Sequence, residues 1–155
     1  VFGEVVAETP EQVSANWDRI KASERGEDAS ALDGVPQTLP SLSRAQKLTG
    51  RAARQGFAWP DDAAVLSKLA EELREIAEAK PEQQAAEFGD LLFVLADFAR
   101  RHDWDAEDAL REASTKFEIR FRALEASIRE SGDEMHQLDH STLLREWEKV
   151  KQTIT

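Results

Sequence analysis

The stretch from Leu69 to Asp97, LAEELREIAEAKPEQQAAEFGDLLFVLAD, constrains this chain more than any other part of it. It carries two pairs of carboxylates, Glu72 with Glu75 and Glu87 with Asp90, each with its members three positions apart. Residues at i and i+3 lie on the same side of a helix, so each pair projects from one face. Pro81 separates the two periodic segments, which puts the pairs on successive helices that can fold back on each other. Four acids aimed into one cleft repel strongly unless a cation joins them. The arrangement therefore points to a magnesium site between two antiparallel helices. Spacing alone is also compatible with a charged surface, because Glu is a common solvent-facing helical residue.

Helical wheels separate the four acids. On the first helix, expected over 62–79, Val65, Leu69, Leu73 and Ile76 form an apolar stripe. At about 100° per residue, Glu72 falls on the edge of that stripe, Glu75 lies further round, and Glu71 and Glu78 point away. On the second helix, expected over 82–102, Phe88, Leu91, Leu92, Val94, Leu95, Phe98 and Ala99 wrap most of the circumference. That pattern predicts the most buried helix of the fold. Glu87 falls inside its apolar arc, with Asp90 and Asp97 on one flank. A buried carboxylate without a partner costs several kcal/mol or takes up a proton, so the acids of this helix need one. Ligands that are all oxygen favour Mg²⁺ or Mn²⁺ over zinc. A ferritin-like di-iron bundle would require Glu-x-x-His, and neither pair contains His.

Composition agrees with a helical protein. Ala, Leu, Glu and Arg dominate, Tyr is absent, and no segment alternates like a strand. The 155 residues suffice for one core. The net charge of −11 argues against a nucleic-acid surface, and would repel a nucleotide's phosphates unless local cations reversed the field. No apolar run approaches the roughly 20 residues of a membrane span, no signal peptide is visible, and the absence of Cys suits a cytoplasmic protein.

Elsewhere, Thr9 and Pro10 predict a helix start running to about Ala22, and residues 25–40 read as loop. Ser41 is a candidate cap for a helix ended by Gly56. Its basic character fits a charged outer face better than a phosphate site. Phe57-Ala58-Trp59-Pro60 reads as an aromatic turn whose Trp59 can staple the next helix or cover a base. Asp105 caps a helix over 106–131, ended by Gly132, with Leu110, Phe117, Phe121, Leu124 and Ile128 as its seam. Lys116 and Arg120 share one flank of it and could meet phosphate oxygens or neighbouring Glu residues. Residues 132–140 read as a linker, so His136 and His140 are not expected to form a metal pair. Ser141 or Thr142 is the expected start of a last helix, on which Trp147 and Lys151 project together.

Taken jointly, these blocks resemble the MazG family of nucleoside triphosphate pyrophosphohydrolases, specifically the C-terminal catalytic domain of its longer bacterial type. The resemblance rests on Glu71-Glu72-Leu73-Arg74-Glu75 followed by Glu87-Phe88-Gly89-Asp90, and on Lys116–Phe121. The segment Trp147–Lys151, residues 30–47 and residues 56–59 add to it. It implies an all-α, MazG-type helical bundle with a four-helix-bundle-like core that forms a homodimer. It implies Mg²⁺-dependent hydrolysis of (d)NTPs to (d)NMP and pyrophosphate, with Glu72, Glu75, Glu87 and Asp90 as metal ligands. Lys116, Arg120, Trp147 and Lys151 would be the nucleotide-contacting residues. Residues 1–25 would be a lead-in from a preceding domain, with the catalytic domain over 26–155. Asp97 and Ser114 stand where the family usually has Asn. The alternatives are a non-catalytic dimerisation or regulatory domain on the same scaffold, and a house-cleaning hydrolase specific for damaged nucleotides.

Overall fold

Three aspartates set where the helices begin. Asp61 accepts a hydrogen bond from the Ala64 amide at 2.8 Å, Asp105 from the Asp108 amide at 2.9 Å, and Asp139 from the Thr142 amide at 3.0 Å. Each satisfies an amide that the first helical turn leaves without a partner. The computed structural model describes residues 29–154, so the helix expected over 10–22 and the lead-in lie outside the described residues. Among the described residues the chain forms five α-helices, one short 3-10 turn and no strand. The helices are α1 (Ser41–Arg54), α2 (Asp62–Glu78), α3 (Gln84–Arg101), α4 (Ala106–Glu130) and α5 (His140–Thr153), with the 3-10 turn at Met135–Gln137.

Several boundaries differ from the sequence expectation. Ser41 is the first residue of α1; Pro40 holds the cap position and contributes no side-chain bond. Pro81, Glu82 and Gln83 form a turn in which the Gln83 and Gln84 amides both bond back to the Lys80 carbonyl, so α3 starts at Gln84. The last helix is capped by Asp139 rather than by Ser141 or Thr142. Both of those hydroxyls instead donate to the Asp139 carboxylate, at 2.5 and 2.8 Å. These bonds, Ser141 first, hold the Asp139 carboxyl well below its ordinary range. Gly56 and Gly132 end α1 and α4 with φ of 84° and 79°, a conformation that side chains rarely adopt.

The chain divides into two compact units, the first ending at His102 and the second beginning at Asp103. In the first, α3 packs against both α1 and α2. The buried hydrophobic residues are small: Val35, Ala45, Val65, Val94 and Ala96. Small side chains let helix backbones approach closely. At Gly50 on α1, an added Cβ would come within 3.3 Å of the Arg100 stem on α3. The expectation that α3 is the most buried helix holds on one side only. Val94, Ala96 and Asp97 are buried, whereas Phe88, Leu92, Phe93 and Leu95 stay 39–52% exposed. Similarly, Leu73 of the expected α2 stripe is exposed. A stripe wider than the packing partners can cover leaves its remainder in solvent.

In the second unit α4 packs against α5 and the 3-10 turn. The core is Leu124, Ile128 and Val150, with Phe121, Leu143 and Trp147 packed on it. Only the C-terminal half of the expected α4 seam is covered, since Leu110 and Phe117 are exposed.

Candidate active site

The Lys80-to-Gln83 turn returns the chain so that α2 and α3 pack side by side, and this brings acids from both helices together. Glu72, Glu75 and Glu87 each place a carboxylate oxygen within 4.8 Å of the others. Their environments differ. Glu72 is buried, whereas Glu75 and Glu87 are half-buried. Asp90, the fourth expected member, is exposed and lies outside this three-residue group. It follows Glu87 by three positions, and its side chain is one methylene shorter than that of Glu.

The burial order reverses the wheel-based expectation that Glu87 lies deepest. Because α3 is apolar almost all round, its wheel does not say which side faces the core. Glu72 sits on the α2 edge that α3 covers. One Glu72 oxygen, Oε1, lies 2.8 Å from the Lys68 ammonium. The other, Oε2, is sealed from solvent and takes no hydrogen bond. An orphaned carboxylate oxygen inside a group of like charges is costly, and a cation held by the same three residues would supply its missing partner. The residues present thus fit a hard, oxygen-bound metal ion.

Nothing in the sequence pattern sets Lys68 apart. It precedes Glu72 by four positions and also bonds Glu71 at 2.8 Å, with Glu75 at 4.0 Å. Hydrogen bonds to Glu71 and then Glu72 raise the Lys68 pKa, so the ammonium stays charged, and the same contact holds the Glu71 carboxyl down. The available signal was the i, i+3, i+4 relation of Lys68 to two acids, which is also the commonest pattern of a solvated helix face.

Asp97 is not part of the acid group. It is buried at 5% exposure and bonded through Oδ1 to the Arg100 Nε at 2.8 Å. It lines an apolar cavity of about 530 Å³ bounded by α1, the aromatic turn and α3. No spacing in the sequence marks this cavity, although its Trp59 belongs to the aromatic turn and can cover a base. Among the described residues, the group of possible metal ligands includes neither His136 nor His140.

The expected nucleotide-contacting residues all belong to the second unit. Lys116 is exposed and lines a shallow cleft with Arg111, Thr115 and Ile154. Arg120 donates from both Nε and Nη2 to the Ile154 carbonyl, at 3.0 and 2.8 Å. Trp147 packs against Phe117 with ring centroids 5.5 Å apart, and Lys151 pairs with Glu148 at 2.6 Å. Ser114 spends its hydroxyl on the Leu110 carbonyl at 2.8 Å, a bond internal to α4.

Residues 61–124, which include all three clustered acids, match the family model of the MazG nucleotide pyrophosphohydrolase domain. The chain is 40% identical over 162 residues to a nucleoside triphosphate pyrophosphohydrolase of Escherichia coli, an alignment covering 97% of this chain and 60% of that protein. It is 38% identical over 149 residues to the nucleoside triphosphate pyrophosphohydrolase/pyrophosphatase MazG of Thermotoga maritima, covering 95% of this chain and 58% of that one. An uncharacterized protein of Bacillus subtilis, YabN, is 38% identical over 159 residues, covering 99% of this chain and 32% of its own length. The chain thus spans no more than about three-fifths of these curated relatives. In residues 61–124, the segment that carries the clustered acids, the chain contains a MazG nucleotide pyrophosphohydrolase domain.

Proposed function

We propose that this chain is a nucleoside triphosphate pyrophosphohydrolase, converting (d)NTPs to the monophosphate and pyrophosphate with Mg²⁺ (or Mn²⁺) held at the acid group. The observation that carries the reading is the Glu72–Glu75–Glu87 group with its one orphaned, buried oxygen. Glu72, Glu75 and Glu87 would hold the ion, with the exposed Asp90 one turn further along α3 completing the set. When bound, Mg²⁺ supplies charge neutralisation of the triphosphate and acidification of water.

The protein's own groups supply the rest. Lys68 keeps a fixed positive charge beside Glu72, which offsets part of the acid group's repulsion and offers a donor to a phosphate oxygen. Lys116, which forms no ion pair among the described residues, is free to meet the outer phosphates. Arg120 and Lys151 would exchange the Ile154 carbonyl and the Glu148 carboxylate for phosphate oxygens, and Arg120 would thereby trade a neutral acceptor for an anionic one. Trp147, already backed by Phe117, presents an apolar surface to the nucleotide.

The reading extends to the catalytic domain over 26–155, with residues 1–25 as a lead-in, and to a homodimeric, cytoplasmic protein that binds neither nucleic acid nor membrane. No described helix is long and apolar enough to cross a membrane.

The test is a panel of ribo-, deoxyribo- and oxidised triphosphates with Mg²⁺, in which monophosphate and pyrophosphate are both scored. Glu72→Ala and Asp90→Ala should each abolish turnover without loss of helical circular dichroism. Glu78→Ala, which removes an exposed acid paired only with Arg74, should leave turnover unchanged. Diphosphate with orthophosphate as products would overturn the reaction type. Absence of turnover on every triphosphate, with no Mg²⁺-dependent thermal shift, would leave the non-catalytic dimerisation or regulatory domain. Selective turnover of the oxidised substrates would identify a house-cleaning hydrolase.

A further inference from the structure

The apolar cavity of the first unit has no part in holding a metal, yet it is a built site. Its volume, about 530 Å³, falls in the range of small-molecule pockets. Phe57, Trp59 and Phe93 supply aromatic surface, Leu48 and Val94 supply aliphatic surface, and Asp97 is the sole ionisable group among the lining residues. The walls are tied in place by arginines that do not line the cavity. Arg51 donates to the Ala31 and Asp33 carbonyls and so fixes the loop bearing Leu32. Arg101 donates to the Trp59 carbonyl and to Asp62, each at 3.0 Å, and so fixes the aromatic turn. A pocket whose walls are held before binding loses little entropy when a flat ring enters.

Asp97 decides what kind of ring fits. Its Oδ1 is engaged by Arg100, and its Oδ2 takes no hydrogen bond from any described residue. An ionised carboxylate only accepts hydrogen bonds, so in an otherwise apolar cavity it needs an occupant that donates. Guanine presents two adjacent donors on one edge, N1–H and N2–H. Adenine and cytosine present one amino group beside a ring acceptor. Uracil and thymine present one N–H between two carbonyls, whose lone pairs would face the carboxylate. Position along the chain supports a nucleotide. Phe93, Val94 and Asp97 follow Glu87 on the same helix by six to ten residues, or ~9–15 Å of axial rise. That separation is comparable to the reach from a base across its ribose to the outer phosphates.

We infer that this cavity is the nucleobase subsite and that Asp97 is the residue within it that selects guanine. The inference rests on the triphosphate reading of the neighbouring acid group, and it deepens that reading by naming the preferred substrate.

Two measurements test it. In the first, guanosine and uridine are titrated without metal, and binding is followed by calorimetry and by tryptophan fluorescence, with Trp59→Phe identifying the reporting residue. Guanosine should bind about tenfold or more tighter than uridine, and Asp97→Asn, which replaces an acceptor by a donor, should remove that preference. In the second, kcat/KM for pyrophosphate release is compared between GTP and UTP. The ratio should exceed about ten in the wild type and fall to about one in Asp97→Asn, with turnover of UTP retained. Equal binding of the two nucleosides by the wild type overturns the inference, whatever the variant does. So does an equal loss of GTP and UTP turnover in Asp97→Asn, which marks a purely structural ion pair. A wild-type protein that prefers guanosine but releases no pyrophosphate supports the subsite and overturns the hydrolase. One that turns over GTP and UTP equally does the reverse.

Discussion

Glu72 and Glu75 sit in the same helix three positions apart, yet their burial assigns them different tasks. Glu72, 3% exposed, has its ammonium partner on one oxygen and none on the other. Glu75 is half-buried, and its closest cation, Lys68, is 4.0 Å away. Without a metal, Glu75 therefore adds repulsion to the group without a close partner to offset it. Glu75→Gln should raise the melting temperature of the metal-free protein by a few degrees, ~1 kcal/mol or less given its partial exposure. The same change should shrink the stabilisation produced by Mg²⁺, so the two effects have opposite signs. Differential scanning fluorimetry with and without Mg²⁺ reads both. A lower melting temperature in both conditions would assign Glu75 to structure alone. The acids themselves were legible in the sequence, because three of them at helical spacing across a proline break have few other arrangements. Their ranking was not. Burial depends on which side of α3 meets α2, and an almost uniformly apolar circumference carries no such information. Lys68 was illegible for a related reason, since its spacing to Glu71 and Glu72 is that of any exposed ion-paired turn.

Helix starts are a matter of side-chain hydrogen bonds, and α5 shows how strongly one residue can gather them. Asp139 accepts from the Thr142 amide, the Thr142 hydroxyl and the Ser141 hydroxyl, and its carboxyl is held below the ordinary value of 3.8. A group whose pKa is depressed by folding contributes stability above its unfolded value and loses it as pH falls through the folded value. Asp139→Ala should therefore lower the melting temperature at neutral pH, with α5 fraying first. The difference from the wild type should stay constant down to about pH 5 and close as the pH is taken below the ordinary carboxyl value. Thermal melts across that range check it; a gap that persists in strong acid would mean that packing rather than the charge is lost. Asp105 is legible as a cap in the sequence because it directly precedes a clear periodic run. Asp139 is not, because Ser141 and Thr142, equally good caps by residue type, stand closer to the run. At α3 the expected start at residue 82 is early because Pro81, Glu82 and Gln83 form the turn that aligns α2 with α3.

The all-helical class was readable from composition and periodicity, since Ala, Leu, Glu and Arg at 3.6-residue spacing leave no competing strand pattern. What covers each apolar face was not readable, because a stripe records that burial occurs and not against what. The described chain leaves such faces open. Phe88, Leu92 and Leu95 lie at i, i+4 and i+7 on α3, and Leu66 and Leu73 at i and i+7 on α2, all between 39% and 57% exposed. Large apolar side chains repeated on one helix stripe are costly in water and mark an interface rather than scattered surface residues. A second copy of the chain is the occupant that the proposed homodimer supplies, and a self-complementary patch suits a two-fold contact. Leu92→Glu places a charge in the middle of that stripe without touching Glu72, Glu75 or Glu87. Sedimentation equilibrium should find the wild type as a dimer and the variant as a monomer with its helical circular dichroism preserved. A dimer also makes stability depend on protein concentration, so the wild-type melting temperature should rise on concentration and that of the variant should not. If the wild type itself sediments as a monomer with a concentration-independent melt, the stripe is not a homodimer interface, and a different partner must cover it.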